Sequence, residues 1–119
     1  MSKLLLSVTF LLISTVVYAE SYVCSFPSPV EGFPPNMDTF SRLSDGSFEI
    51  TKHAFNSDTK GFSSGVSEDE RYLVIHEVHL DSGQSNTYMI NKETGQIRVT
   101  VMRIYEAEPY AGFGSCITI

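Results

Sequence analysis

Tryptophan is absent from this chain, cysteine occurs only twice, and eight Lys and Arg face fourteen Asp and Glu. Each shortage excludes something. A formal charge of −6 lacks the clustered positive surface on which phosphate binding rests, so nucleic acid is not an expected partner. Two cysteines without C-x-x-C spacing and without basic neighbours do not form a reactive thiol pair. Long apolar runs are also missing beyond residue 17, so no membrane span is expected once the first segment is removed.

That first segment, residues 1–19, reads "MSKLLLSVTFLLISTVVYA". One lysine, an apolar run from Leu4 to Val17 and the small-residue ending at Ala19 make an export signal, with cleavage expected after Ala19. The mature chain is then 20–119, one secreted or periplasmic domain. Lys3 leaves with the signal, so seven basic residues remain against fourteen acidic ones, a formal charge of −7. Such a surface favours cationic partners. In an oxidising compartment Cys24 and Cys116 are expected to pair, tying the last strand to the first as neighbouring edge strands.

Four of the five prolines fall in "FPSPVEGFPPN" at 26–36, which is therefore an extended connection. "NMDTFSRL" at 36–43 fits strand or a short helix; strand is preferred. Beyond it the punctuation is that of hairpins. Asp45-Gly46 marks a tight turn, and "SFEITKHA" follows with Phe48, Ile50 and Ala54 on one face and Glu49, Thr51 and His53 on the other. "RYLVIHEVHL" at 71–80 is the strongest strand, with Tyr72, Val74, His76, Val78 and Leu80 expected on the core side. Gly95 suits the left-handed position of a longer turn, and Ile97, Val99 and Val101 alternate with Arg98, Thr100 and Met102. "EAEPYAGFG" reads as loop and "SCITI" as the closing strand. The stretch 55–70 reads as loop with a short strand near Phe62 and a helical turn capped by Ser67 with Glu70. The expectation is an all-β fold, a small antiparallel sandwich or barrel of about seven strands.

Three motifs invite chemical readings. "GFSSG" at 61–65 satisfies G-x-S-x-G, but a nucleophile elbow needs a doubly wound sheet that this length does not hold, so no catalysis is expected of Ser63. "HEVH" at 76–79 puts its two histidines on opposite faces of a strand, where they cannot share a metal. Glu77 and His79 fall on the expected wet face, with His53 placed on a neighbouring strand; a solvated polar face is the expected outcome, and no metal or cofactor is predicted. "SEDE" at 67–70 lacks the spacing of a calcium loop.

The layout, a small exported β-domain with cysteines near both ends, resembles that of several unrelated groups, among them periplasmic inhibitors of lysozyme, and no functional position is carried over from them. The expected role is non-enzymatic binding of another macromolecule, with a cationic exported protein such as a basic hydrolase as partner. Phe33, Tyr110 and Phe113 are the candidate apolar anchors. The alternative is a small-ligand or metal carrier using a barrel interior.

Overall fold

The computed structural model describes residues 20–28, 32, 34–53 and 57–119. Nine strands make one antiparallel sheet: β1 (Ser21–Phe26), β2 (Asn36–Arg42), β3 (Phe48–His53), β4 (Asp58–Phe62), β5 (Gly65–Glu68), β6 (Tyr72–His79), β7 (Gln84–Asn91), β8 (Gln96–Arg103) and β9 (Tyr110–Thr118). Among the described residues there is no helix, and so none long and apolar enough to cross a membrane.

The strand order is β4-β3-β2-β1-β9-β8-β7-β6-β5. Every strand therefore pairs with its neighbour in sequence, except that β4 and β5 form the two edges, and β1 pairs with β9. This is the order of an up-and-down barrel opened at one seam. Only Ser63 and Ser64 separate the edge strands, so the sheet must curl until its ends approach. The backbone of Ser63 bonds to Phe48 O at 2.9 Å and that of Ser64 to His76 O at 2.7 Å, tying the seam to the strands on either side. The G-x-S-x-G stretch is thus the crossover: the Ser63 hydroxyl accepts the Phe48 amide at 2.9 Å.

Cys24 and Cys116 face each other directly in the β1–β9 ladder and are bonded, their Cα atoms 4.0 Å apart. β1 and β9 lie mid-sheet, with three strands beyond β1 and four beyond β9, rather than at its edges as the sequence led us to expect. The disulfide staples the pair that closes the chain's two ends onto each other. Beside it, β1 presses so closely on β9 that a Cβ on Gly114 would overlap the carbonyl of Ser25. A glycine here is a condition of the pairing.

Alternation sets the concave face. Phe48 and Ile50 of β3, Ile97 and Val99 of β8, and Tyr88 and Ile90 of β7 are buried with Phe40 and Leu73 in one core. Full burial of each such side chain contributes about 1.5–3 kcal/mol. Phe40 meets Tyr88 edge to face at 4.8 Å between centroids. One end of the barrel is closed over this core by charge: the Arg42 guanidinium lies 4.5 Å over the Phe48 ring and binds Glu20 at 2.6 Å and Glu68 at 3.0 Å, and Lys92 binds Glu68 at 2.9 Å.

Several sequence readings change. The strand count is nine because 55–70 holds two short strands, β4 and β5; the helical turn at Ser67 is instead strand, followed by a turn in which Asp69 accepts the amides of Arg71 and Tyr72. Residues 36–42 are strand. The closing strand begins at Tyr110, not Ser115, so Tyr110 and Phe113 are strand residues. The turns at Gly46 and Gly95 have the expected positive φ, 89° and 78°.

The largest change is in β6. Leu73, Ile75 and Glu77 are buried, while Tyr72, His76 and Val78 are exposed, the reverse of the expected faces. Both registers of "YLVIHEVH" carry aliphatic residues. The one that also holds the carboxylate won because the interior has partners for it.

Candidate functional site

Opposite the charged lid the barrel is open. The end of β1, the start of β2, the end of β3, the start of β7, the end of β8 and the start of β9 surround a cavity of about 360 Å³. Phe26, Tyr88, Val99 and Val101 supply its apolar surface, and Asp38, Lys52, Gln84, Asn86 and Arg103 its polar groups.

Glu77 organises the interior below this mouth. It is 2 % exposed, yet its Oε1 accepts Asn86 Nδ2 at 2.9 Å and Tyr88 Oη at 3.2 Å, and meets Lys52 Nζ at 3.2 Å and His79 Nε2 at 3.4 Å. Lys52 belongs to β3, across the barrel from β6, so the ion pair spans the interior between two strands that are not neighbours in the sheet. Burial by itself would raise the Glu77 pKa, but the Asn86 amide and the Lys52 ammonium outweigh it and hold the carboxyl below its ordinary range. Gly61 on β4 leaves room for this carboxylate, since a Cβ there would stand 2.5 Å from Glu77 Oε2. Tyr88, buried beside Glu77, is held well above the usual phenol range by burial and by that neighbouring charge.

Asp38 lines the cavity on β2, directly opposite Lys52 in the β2–β3 ladder. Lys52 reaches across to Glu77, and the Asp38 carboxylate takes part in no hydrogen bond or ion pair among the described residues. Burial, reinforced by the Glu77 charge and opposed by Lys52, pushes its pKa up to about 6. Arg103 is engaged: its Nε donates to Gln84 Oε1 at 3.0 Å and its Nη1 meets Glu106 at 3.2 Å.

Of the candidate anchors, Tyr110 and Phe113 are 55 % and 65 % exposed. Both belong to the cavity lining, yet alternation along β9 sets them on opposite faces: Tyr110 shares the concave side with Gly112 and Gly114, whereas Phe113 stands on the convex side with the Arg98 guanidinium 5.1 Å over its ring. Phe33 lies outside the described residues, as does Ala54. Sequence reasoning passed over other apolar groups at this end. Leu80 in the β6–β7 turn and Ile104 just after β8 are 89 % and 88 % exposed, and Tyr105 follows Ile104. Ile104 N bonds to Gly83 O at 3.0 Å, which brings those two connections together beside the mouth.

The histidines do not converge. His53 contacts Thr39 at 2.8 Å and Asp58 at 3.3 Å, His76 contacts Thr87 at 3.2 Å on the convex face, and His79 turns to Glu77. β3, which carries His53, faces β6 across the barrel instead of neighbouring it as expected. Among the described residues no three His, Cys, Asp or Glu side chains come together as a metal site. The mouth is thus a binding geometry, a concave surface with an apolar margin and, among the described residues, one uncommitted carboxylate. No family model, no curated protein and no solved structure matches the chain.

Proposed function

We propose that this chain is an exported, non-enzymatic binding domain that docks a cationic protein at the open mouth of its barrel, acting as an inhibitor of a basic exported hydrolase such as a lysozyme. The observation that carries the reading is the concentration of solvent-facing apolar side chains, Leu80, Ile104, Tyr105 and Tyr110, on the same end of the barrel as the polar cavity. Apolar anchors next to a desolvated polar centre are the anatomy of protein-binding hot spots, and the chain's excess of fourteen acidic over eight basic residues would steer a basic partner. The disulfide fits an oxidising compartment, and the leader-like residues 1–19 support export into the periplasm or medium.

The test is retention of basic exported hydrolases on the immobilised mature protein. At least one should bind, more weakly as salt rises. Tyr110→Ala with Ile104→Ala should reduce retention at least about tenfold with little change in melting temperature, because both side chains already face water. Salt-independent retention, or a double variant that binds normally, would reject this reading. A small-ligand carrier is the second reading, favoured by the cavity of about 360 Å³, within the size range of small-molecule sites.

A further inference from the structure

We infer that the mouth binds an organic ammonium group, held at the Asp38 carboxylate. The inference rests on the docking reading above, and it names the chemical group the cavity receives.

Charge and geometry argue for it together. Within the cavity and directly beneath it, Asp38 and Glu77 oppose the single ammonium of Lys52, leaving one negative charge. Glu77 is saturated by Asn86, Tyr88, Lys52 and His79, so the residual charge resides on Asp38. The one other cation of the lining, Arg103, is committed to Gln84 and Glu106. A half-buried carboxylate with no hydrogen-bond or ion-pair partner among the described residues, facing an open cavity, costs the fold stability, and an incoming cation removes that cost. Phe26, Tyr88 and Tyr110 line the same space and offer aromatic surface to the cation and to its alkyl chain. A lysine side chain of a docked partner has this form, and so does a free alkylamine.

The raised Asp38 pKa adds a pH dependence. Lys52, Glu77 and His53 act on the group by their charges, Tyr88, Arg103 and Tyr110 share its cavity, and Asp58, His79 and Glu106 stand one contact further away, against His53, Glu77 and Arg103. Protonated Asp38 has no charge to offer, so ammonium binding weakens as the solution is acidified from pH 7 to pH 5.

Calorimetric titration of the mature protein with n-butylammonium, n-butanol, a lysine-centred pentapeptide and its Nε-acetylated form tests the inference. The two cations should bind saturably at pH 7, at least about tenfold more weakly at pH 5, and at least about tenfold more tightly than their neutral counterparts. Asp38→Asn should abolish this preference while melting at the same or a higher temperature at pH 7, an outcome that a merely structural Asp38 would not give. A peptide that outbinds the free amine identifies a protein side chain as the source, and equal affinity identifies a small amine. Neutral and charged probes binding alike, no binding of either cation, or an unchanged preference in Asp38→Asn would each overturn the inference. Cation binding that persists while hydrolase retention fails would reject the docking reading alone; the converse would reject only the role of Asp38.

Discussion

Replacing Glu77 by alanine removes the acceptor that joins β6 and β7 to β3 through the barrel interior. Four groups then lose that acceptor. Lys52 and His79 are each about a third exposed and recover water, but Asn86 and Tyr88 are each 2 % exposed and cannot. A buried donor left unsatisfied costs about 1–3 kcal/mol, and breaking a buried ion pair by deleting one member typically costs about 3–5 kcal/mol in all. Because Lys52 is partly solvated, the lower part of that range applies, about 3 kcal/mol. Glu77→Gln preserves an acceptor for Asn86 or Tyr88 and forfeits the charge facing Lys52, so about 1–2 kcal/mol is expected. Urea denaturation followed by far-UV circular dichroism, with the slope compared among the three proteins, measures both losses. A Glu77→Ala variant that loses less than about 1 kcal/mol, or one no less stable than Glu77→Gln, would refute the view that this carboxylate organises the interior.

Three further outcomes follow from the same geometry. Cys24→Ala with Cys116→Ala opens a closure spanning 92 positions and should lower stability by about 2–4 kcal/mol in urea, short of the roughly 4–5 kcal/mol of the chain-entropy model. Gly114→Ala should cost at least about 2 kcal/mol and accelerate hydrogen exchange of the β1–β9 amides, since its methyl would meet the Ser25 carbonyl. Asp38 and Glu77 impose opposite pH dependences. The folded Asp38 pKa of about 6 lies above its ordinary value of 3.8, so stability should rise as pH falls from 7 through 6 toward 4, by about 1–2 kcal/mol after allowance for its partial exposure to solvent. Glu77, whose folded pKa is depressed below its ordinary 4.5, should remove stability as pH falls further, and thermal melts of the wild type and Asp38→Asn across pH 3–8 separate the two.

The hairpin grammar was legible because turns and alternation are local. Asp45-Gly46 and Gly95 mark their turns, and β8 shows one apolar and one polar set of side chains, so its faces read correctly. β6 did not, because Leu73 and Ile75 alternate with Tyr72, Val74 and Val78, leaving the charge of Glu77 to tip the choice outward. The groups that make Glu77 an interior residue, Lys52, Asn86 and Tyr88, come from two other strands, and only the curl of the sheet brings them together. β9 misled for a related reason: Gly112 and Gly114 read as loop punctuation, whereas they stand where Val99, Phe26 and the Ser25 carbonyl approach the strand. The disulfide pairing needed no geometry, since the described chain holds two cysteines and both are bonded to each other. Its mid-sheet position did, because strand order depends on which strands become the edges. Of the site, Tyr110 was within reach of the sequence as an exposed aromatic. Asp38 was not, since nothing local sets it apart from the other acidic residues.

Binding at the open end is the central claim, and chemical-shift mapping of the ¹⁵N-labelled mature protein against the lysine-centred pentapeptide tests it most directly. The account expects saturable shifts at the amides of Asp38, Lys52, Asn86, Val101 and Tyr110, with those of Leu43, Glu68 and Lys92 at the closed end unmoved. Shifts concentrated at the closed end or on the convex face around Met89 and Phe113, or no saturable shift at all, would contradict it.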